Sequence, residues 1–265
     1  MLPDCETLLL DRDGWRLRVT LNRPENRNAL SAEMVNELTA VFDAVRDDRE
    51  VRAIVLRGAG GNFCAGGDIK GFGRNQAGAA DDAEVIAGNR RYGELLDKVN
   101  RAPQAVIAAI EGAVMGGGMG FTCTCDIAVA TESARFGLPE ATLGLPAAQV
   151  GPFVAQRIGL TKARMLAVTG ARLKADEALA MGLIHHVVAD AEALEAKVTE
   201  LLAAIARCAP EALAENKRLL HLSLTAERET VVAEAAQSFA TAMRSDAAKE
   251  GVAAFLEKRP AAWVE

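Results

Sequence analysis

Two glycine-rich stretches, GAGGNFCAGGD at residues 58–68 and GAVMGGGMG at residues 112–120, each follow a short run of Ile, Val, Leu and Ala. Those runs, residues 52–57 and 105–110, read as buried strands because apolar residues continue without alternation. Glycine lets main chain turn sharply, approach a neighbour closely and aim its N–H groups outward. A single such loop is equally well read as a tight turn. Two of them, each at the end of a buried strand, point to a layered α/β arrangement with a site built from main chain.

The rest of the chain fits that frame. Residues 15–21 (WRLRVTL) alternate apolar and polar side chains, the mark of a half-buried strand. Ser31 then stands before Val35, Leu38, Val41, Phe42 and Val45, a capped amphipathic helix. A second helix is expected from about residue 83 to 99. Strand, helix, strand, helix, strand is the order of an α/β layer. Residues 71–82 (GFGRNQAGAADD) lack apolar periodicity and form a candidate lid. Beyond Asp176 the chain reads as helical. Leu194, Val198, Leu201, Leu202 and Ile205 form one apolar stripe, and Leu213, Leu219 and Leu220 another. Such stripes need a partner surface, either the α/β layer or a neighbouring subunit.

Composition removes several classes of function. The 265 residues hold 30 Lys plus Arg against 36 Asp plus Glu, and a net charge of -6 argues against nucleic acid as a partner. The longest apolar run, residues 105–110, falls far short of a bilayer, so no membrane association is expected. The first residues, MLPDCETLLLDRDGW, carry acids on both sides of a Leu run, unlike a secretory signal. An odd set of five cysteines fits reduced thiols in a cytoplasmic protein. The spacing of Cys64, Cys123 and Cys125 is not that of tandem C-x-x-C zinc sites, and no metal is expected. His185-His186, inside GLIHHVV, reads as a strand end.

The second loop invites a dinucleotide reading, since it follows a strand and Glu140 lies twenty residues past Gly120. Its spacing is not G-x-G-x-x-G, however, and the segment around Glu140 (RFGLPEATLGL) does not resemble a second strand ending in an acid. A reading that uses both loops fits better. One N–H from each could converge on a single oxygen and stabilise negative charge developing there, as in an oxyanion hole.

Several segments resemble the enoyl-CoA hydratase/isomerase (crotonase) family: NRP through NAL (residues 22–30), FCAGGDIK (63–70), GGG with Cys125-Asp126 close behind (116–126), FGLPE (136–140) and FLEKR (255–259). They occur in family order across nearly the whole chain. The resemblance implies a crotonase-type spiral of ββα repeats over residues 1–200 and a C-terminal helical trimerisation region over residues 201–265. It implies a homotrimer or a dimer of trimers. It also implies an acyl-CoA substrate and no separate cofactor, CoA being part of the substrate. By motif, the N–H groups of Gly67 and Gly117 would hold the thioester oxygen. Arg27 would lie near the pantetheine or phosphate, with Ala65, Asp68 and Ile69 on the adenine side. Phe255 and Lys258 would reach the nucleotide from an adjacent subunit. The usual basic residue after Asn-Arg-Pro is Glu25 here, which weakens a phosphate contact at that position.

The hydratases of this family generally use two glutamates. The second corresponds to Glu140, which leaves it as the principal acid/base, although a carboxylate after Pro139 also suits a helix N-terminus on dipole grounds alone. The first corresponds to Gly120, which has no side chain. One carboxylate suits a Δ3,Δ2-enoyl-CoA isomerase, or a hydratase in which it serves both proton transfers. Residues 140–154 (EATLGLPAAQVGPFV) resemble the branch that hydrates 3-branched glutaconyl-CoA esters, isohexenylglutaconyl-CoA first and 3-methylglutaconyl-CoA second. Arg90, Arg91 and Gln149 are candidates for holding the extra carboxylate of such a substrate. A non-catalytic or RNA-binding homologue is the third alternative, since fold does not fix function.

Overall fold

Alternation along β2 (Arg16–Leu21) sends Leu17, Val19 and Leu21 to one face, where all three are fully buried. The computed structural model describes residues 1–68 and 81–264. In it β2 lies between β1 (Leu8–Asp13), antiparallel to it, and β3 (Ala53–Gly58), parallel to it. The parallel arrangement continues through β4 (Ala105–Ile110), β6 (Ile127–Thr131) and β9 (His186–Val188), giving a six-stranded sheet in the order β1-β2-β3-β4-β6-β9. Every residue of β4 is buried, as expected of a parallel strand covered on both faces.

The two faces have separate cores. Leu17, Ile54, Leu56, Val106 and Ala108 point into the larger one, with Leu38 and Phe42 of α1 (Ala32–Val45) and with Leu95 and Leu96 of α2 (Asp82–Asn100). Val55, Ile107 and Val129 point the other way, onto Leu194, Val198, Leu202 and Ile205 of α7 (Ala191–Ala206). The first C-terminal stripe therefore has the α/β layer as its partner. The cap expected for α1 is present, Ser31 accepting from the N–H of Met34 at 3.2 Å.

After β4 and β6 the chain repeats a strand–strand–helix unit. β4 is followed by β5 (Ala113–Met115) and α3 (Gly117–Thr124), and β6 by β7 (Arg135–Gly137) and, after a loop, α4 (Val150–Ile158). The first strand of each unit joins the large sheet. The second joins a small sheet in which β5 is parallel to β7, and β7 is antiparallel to β8 (Arg172–Lys174). Isolated bridges, Cys64 with Val114 and Leu30 with Gly67, carry the same stacking to earlier rungs. This is the α/β crotonase spiral.

The described residues hold ten α-helices, completed by α5 (Leu160–Thr169), α6 (Ala175–Met181), α8 (Pro210–Thr225), α9 (Arg228–Ala242) and α10 (Asp246–Glu257). Among the described residues no helix is long and apolar enough to cross a membrane. The second C-terminal stripe behaves unlike the first: Leu213 packs on the spiral, but Leu220 is 69% exposed, and neither α8 nor α9 has a buried residue. Polar pins hold this end instead. Lys217 Nζ donates to the Gln104 carbonyl at 2.8 Å and the Asp126 carboxylate at 2.7 Å. The Arg52 guanidinium gathers the carbonyls of Trp263, Ala206 and Cys208. Most of the lid expected at residues 71–82 lies outside the described residues.

Candidate active site

The first loop is organised by a buried asparagine. Asn28 takes a left-handed conformation, φ 56°, which Asn tolerates better than most residues. Its Oδ1 accepts from the Arg23 N–H at 2.9 Å, and its Nδ2 donates to the carbonyls of Ala59 at 2.9 Å and Asn62 at 2.7 Å. Arg23 crosses the same turn, donating to the Ala29 carbonyl at 2.7 Å and pairing with Asp68 at 3.2 Å. Main-chain bonds then lace the segments together, from Ala65 N–H to Arg27 C=O at 3.0 Å and from Leu30 N–H to Gly66 C=O at 2.8 Å. Arg27, Ala65 and Asp68 are thus brought to one rim. Ile69 lies outside the described residues.

Further bonds join the loops to each other. Cys64 N–H donates to Ala113 C=O at 2.9 Å, and Met115 N–H donates to Cys64 C=O at 3.0 Å. The packing is so close that only glycine fits. A Cβ on Gly66 (φ 95°) would lie 2.9 Å from the Met115 carbonyl, and one on Gly118 would lie 2.5 Å from the Cys64 carbonyl. Gly117 opens α3, where first-turn N–H groups have no intrahelical acceptor. Among the described residues, no acceptor is recorded for the N–H of either Gly67 or Gly117.

Glu140 stands beside this junction. It begins a short 3-10 turn (Glu140–Leu143) rather than an α-helix, and Gly144 closes that turn at φ 74°. Its carboxylate turns inward. Oε1 lies 2.8 Å from where a Cβ on Gly116 would be, and Oε2 is buried with no hydrogen-bond partner among the described residues. Burial raises the pKa of this acid above the ordinary glutamate value, its own main-chain N–H opposing the shift. A buried carboxylate oxygen without a protein partner is uncommon and calls for a reason.

Gly120 is fully buried, and the space beside it is taken. A Cβ there would lie 2.5 Å from the hydroxyl of Tyr92 and 3.0 Å from Leu96 Cδ1. The Tyr92 hydroxyl donates to the Gly117 carbonyl at 2.6 Å, and its ring meets Phe121 edge-on at 6.0 Å. Sequence reasoning missed this residue. The available signal was that Tyr92 is the chain's single tyrosine, placed on the same helix face as Leu95, Leu96 and Val99.

Other candidates lie apart. Phe255 is 82% exposed near the end of α10 and Lys258 is exposed just beyond it; among the described residues no recorded hydrogen bond or ion pair ties either one to the loops. Arg90 is exposed and pairs with Glu94 at 2.8 Å, and Arg91 is exposed. Gln149 donates to Asn89 at 2.8 Å and packs against Gly93, next to Tyr92. Burial pushes the thiols of Cys64, Cys123 and Cys125 up to about 12. Among the described residues no group of three or more His, Cys, Asp or Glu side chains could hold a metal. His185 accepts from the Ala128 N–H at 2.9 Å beside β9, and burial followed by Arg157 keeps its pKa low.

Residues 17–265 match the family described as enoyl-CoA hydratase/isomerase. The chain belongs to that family. Among enoyl-CoA hydratase/isomerase relatives, it is 39% identical over 258 residues to enoyl-CoA hydratase EchA19 of Mycobacterium tuberculosis, covering 97% of this chain and 95% of that protein. It is 32% identical over 262 residues to the short-chain-enoyl-CoA hydratase of Clostridium acetobutylicum, covering 97% of each. Among solved structures, Pseudomonas aeruginosa AtuE superposes with a TM-score of 0.95 at 50% identity, covering 98% of this chain and 100% of that one. An enoyl-CoA hydratase/isomerase from Marinobacter aquaeolei superposes with a TM-score of 0.93 at 44% identity, over 98% and 100% of the two chains. The molecule is an enzyme of the enoyl-CoA hydratase/isomerase family.

Proposed function

We propose that this enzyme adds water across the 2,3 double bond of a 3-branched glutaconyl-CoA thioester, isohexenylglutaconyl-CoA first and 3-methylglutaconyl-CoA second. The observation that carries the hydratase chemistry is the inward, partnerless Oε2 of Glu140 beside two loops whose Gly67 and Gly117 N–H groups have no recorded acceptor. Those two N–H groups hold the thioester oxygen. Glu140 removes a proton from water as the water oxygen attacks Cβ, and charge passes to the thioester oxygen as an enolate. The protonated Glu140 then returns its proton to Cα on the same face, so addition is syn and the carboxylate is regenerated. A raised pKa suits this double duty, because the acid form must persist long enough to deliver its proton. Each oxyanion donor contributes about 2.7–4 kcal/mol to barrier lowering.

The CoA moiety rests on the rim formed by Arg27, Ala65 and Asp68, to which the family resemblance adds Ile69. Phe255 and Lys258 reach the nucleotide from an adjacent subunit of a trimer or dimer of trimers, Lys258 meeting the 3′-phosphate as a point charge. The exposed Phe239, Met243 and Phe255 support such a neighbour. The glutaconyl assignment rests on the resemblance of residues 140–154. Gly120 favours a second reading, in which Glu140 alone shuttles a proton between Cγ and Cα and isomerises a 3-enoyl-CoA.

Product mass separates the two. Incubation with isohexenylglutaconyl-CoA, 3-methylglutaconyl-CoA, crotonyl-CoA and a 3-enoyl-CoA is expected to add one water to the branched glutaconyl esters alone. Double-bond migration without mass change, confined to the 3-enoyl ester, would establish the isomerase. Glu140→Gln is expected to abolish turnover nearly completely while CoA-ester binding remains.

A further inference from the structure

We propose that the Tyr92 phenol supplies the second hold on the attacking water, in the space a carboxylate at position 120 would otherwise occupy. The inference rests on the hydratase reading above. Its starting point is the mutual exclusion at Gly120, where a Cβ would lie 2.5 Å from the Tyr92 hydroxyl. The phenol oxygen also lies 3.2 Å from where a Cβ on Gly117 would be. It therefore stands at the start of α3, on the segment that provides one of the two proposed oxyanion donors.

The hydrogen-bond inventory sets its role. A phenol has one proton to donate, and here it goes to the Gly117 carbonyl at 2.6 Å. The oxygen retains acceptor capacity. The edge-on contact with Phe121 fixes the ring, and the residue as a whole is half-buried. Burial chiefly, then Cys64 and the nearby charge of Glu140, hold the phenol well above its ordinary pKa, so it stays neutral while Glu140 cycles.

One water then satisfies both acceptors, giving one hydrogen to the Tyr92 oxygen and the other to Glu140 Oε2, with a lone pair left for Cβ. As the C–O bond forms, the O–H bond directed at Glu140 breaks. The proton rests on Glu140 and passes to Cα. Tyr92 exchanges no proton and keeps the remaining hydroxyl hydrogen in place, so its contribution is positioning.

Two reactions of the same site distinguish this role from simple support of the loop. Exchange of the Cα hydrogen of a saturated acyl-CoA with D2O needs Glu140 and the two N–H donors but no water attack at Cβ. Tyr92→Phe keeps the ring, and is expected to lower hydration about 100-fold with KM within about twofold while Cα exchange stays within about threefold of wild type. Unchanged hydration would overturn the proposal, and so would an equal fall in both reactions, which would make Tyr92 a prop for Gly117. Wild-type protein that hydrates none of the esters would instead overturn the hydratase reading.

If Tyr92→Phe does not fold, the single tyrosine offers a second measurement. Biosynthetic 3-fluorotyrosine labels position 92 alone. Its 19F resonance is expected to shift on binding of a saturated acyl-CoA, which has no double bond to hydrate, and an unmoved resonance would overturn the proposal.

Discussion

Glu140 Oε1 and Gly116 are in close register: the carboxylate oxygen lies 2.8 Å from where a side chain on Gly116 would begin, and Gly116 has φ 49°. The acid and the second loop cannot be varied independently. Gly116→Ala brings left-handed strain of about 1–2 kcal/mol and pushes the carboxylate aside. Turnover is expected to fall about 100-fold, the scale of a misplacement near 1 Å. Steady-state kinetics and thermal melts of Gly116→Ala check this, with Gly151→Ala as control, since nothing lies within 4 Å of a Cβ there.

The raised pKa of Glu140 has consequences for both rate and stability. Hydration needs the ionised carboxylate, so kcat/KM is expected to climb with pH along a limb displaced above the ordinary value of 4.5. In the native state Glu140 keeps its proton to higher pH than in the unfolded chain. Its effect on stability is therefore absent in acid and becomes unfavourable as pH rises through the native pKa. Glu140→Gln should be more stable than wild type at pH 7, and the difference should close below about pH 4. Urea titrations at both pH values measure it.

Asn28 supports the first loop with three hydrogen bonds from a buried, left-handed position. Asn28→Ala leaves two carbonyls and one N–H without partners, at a cost of about 2–4 kcal/mol. Asn28→Asp preserves the contact to Arg23 N–H but turns an acceptor toward the carbonyls of Ala59 and Asn62, so it should not restore stability. Equilibrium unfolding of both variants, followed by tryptophan fluorescence, gives the comparison.

Oligomeric state tests the role assigned to the C-terminal helices. Phe239 is 69% exposed and Met243 58% exposed, at the C-terminal end of α9. Light scattering is expected to give the mass of a trimer or hexamer for wild type. Phe239→Asp with Met243→Asp is expected to lower that mass and to raise KM for the CoA ester, because Phe255 and Lys258 would lose their place on a neighbour.

Strand β2 and helix α1 were legible from their apolar periods, and β3 and β4 from apolar runs that continue without alternation. The small sheet was not. Three-residue strands such as β5 and β7 are too short for a period of two and exist because successive rungs stack. β1 was also obscure: only Leu8 along it is buried, so the edge strand shows no alternation. In the candidate site, the two glycine-rich loops are legible as local runs, whereas Gly67, Gly117 and Glu140 were singled out by the family resemblance. Tyr92 lies in a helix of mixed character, and its meaning comes from Gly120, which only the packed structure brings to it.

The close approach of the Tyr92 hydroxyl to Gly120 also links what these two positions can hold. Glutamate at position 120 would begin 2.5 Å from the phenol oxygen, so it requires the Tyr92 side chain to shift or shrink. A smaller residue at position 92 arriving before that glutamate would leave the site with neither group. The two positions are therefore sterically coupled, and a side chain introduced at position 120 is expected to require a compensating change at position 92.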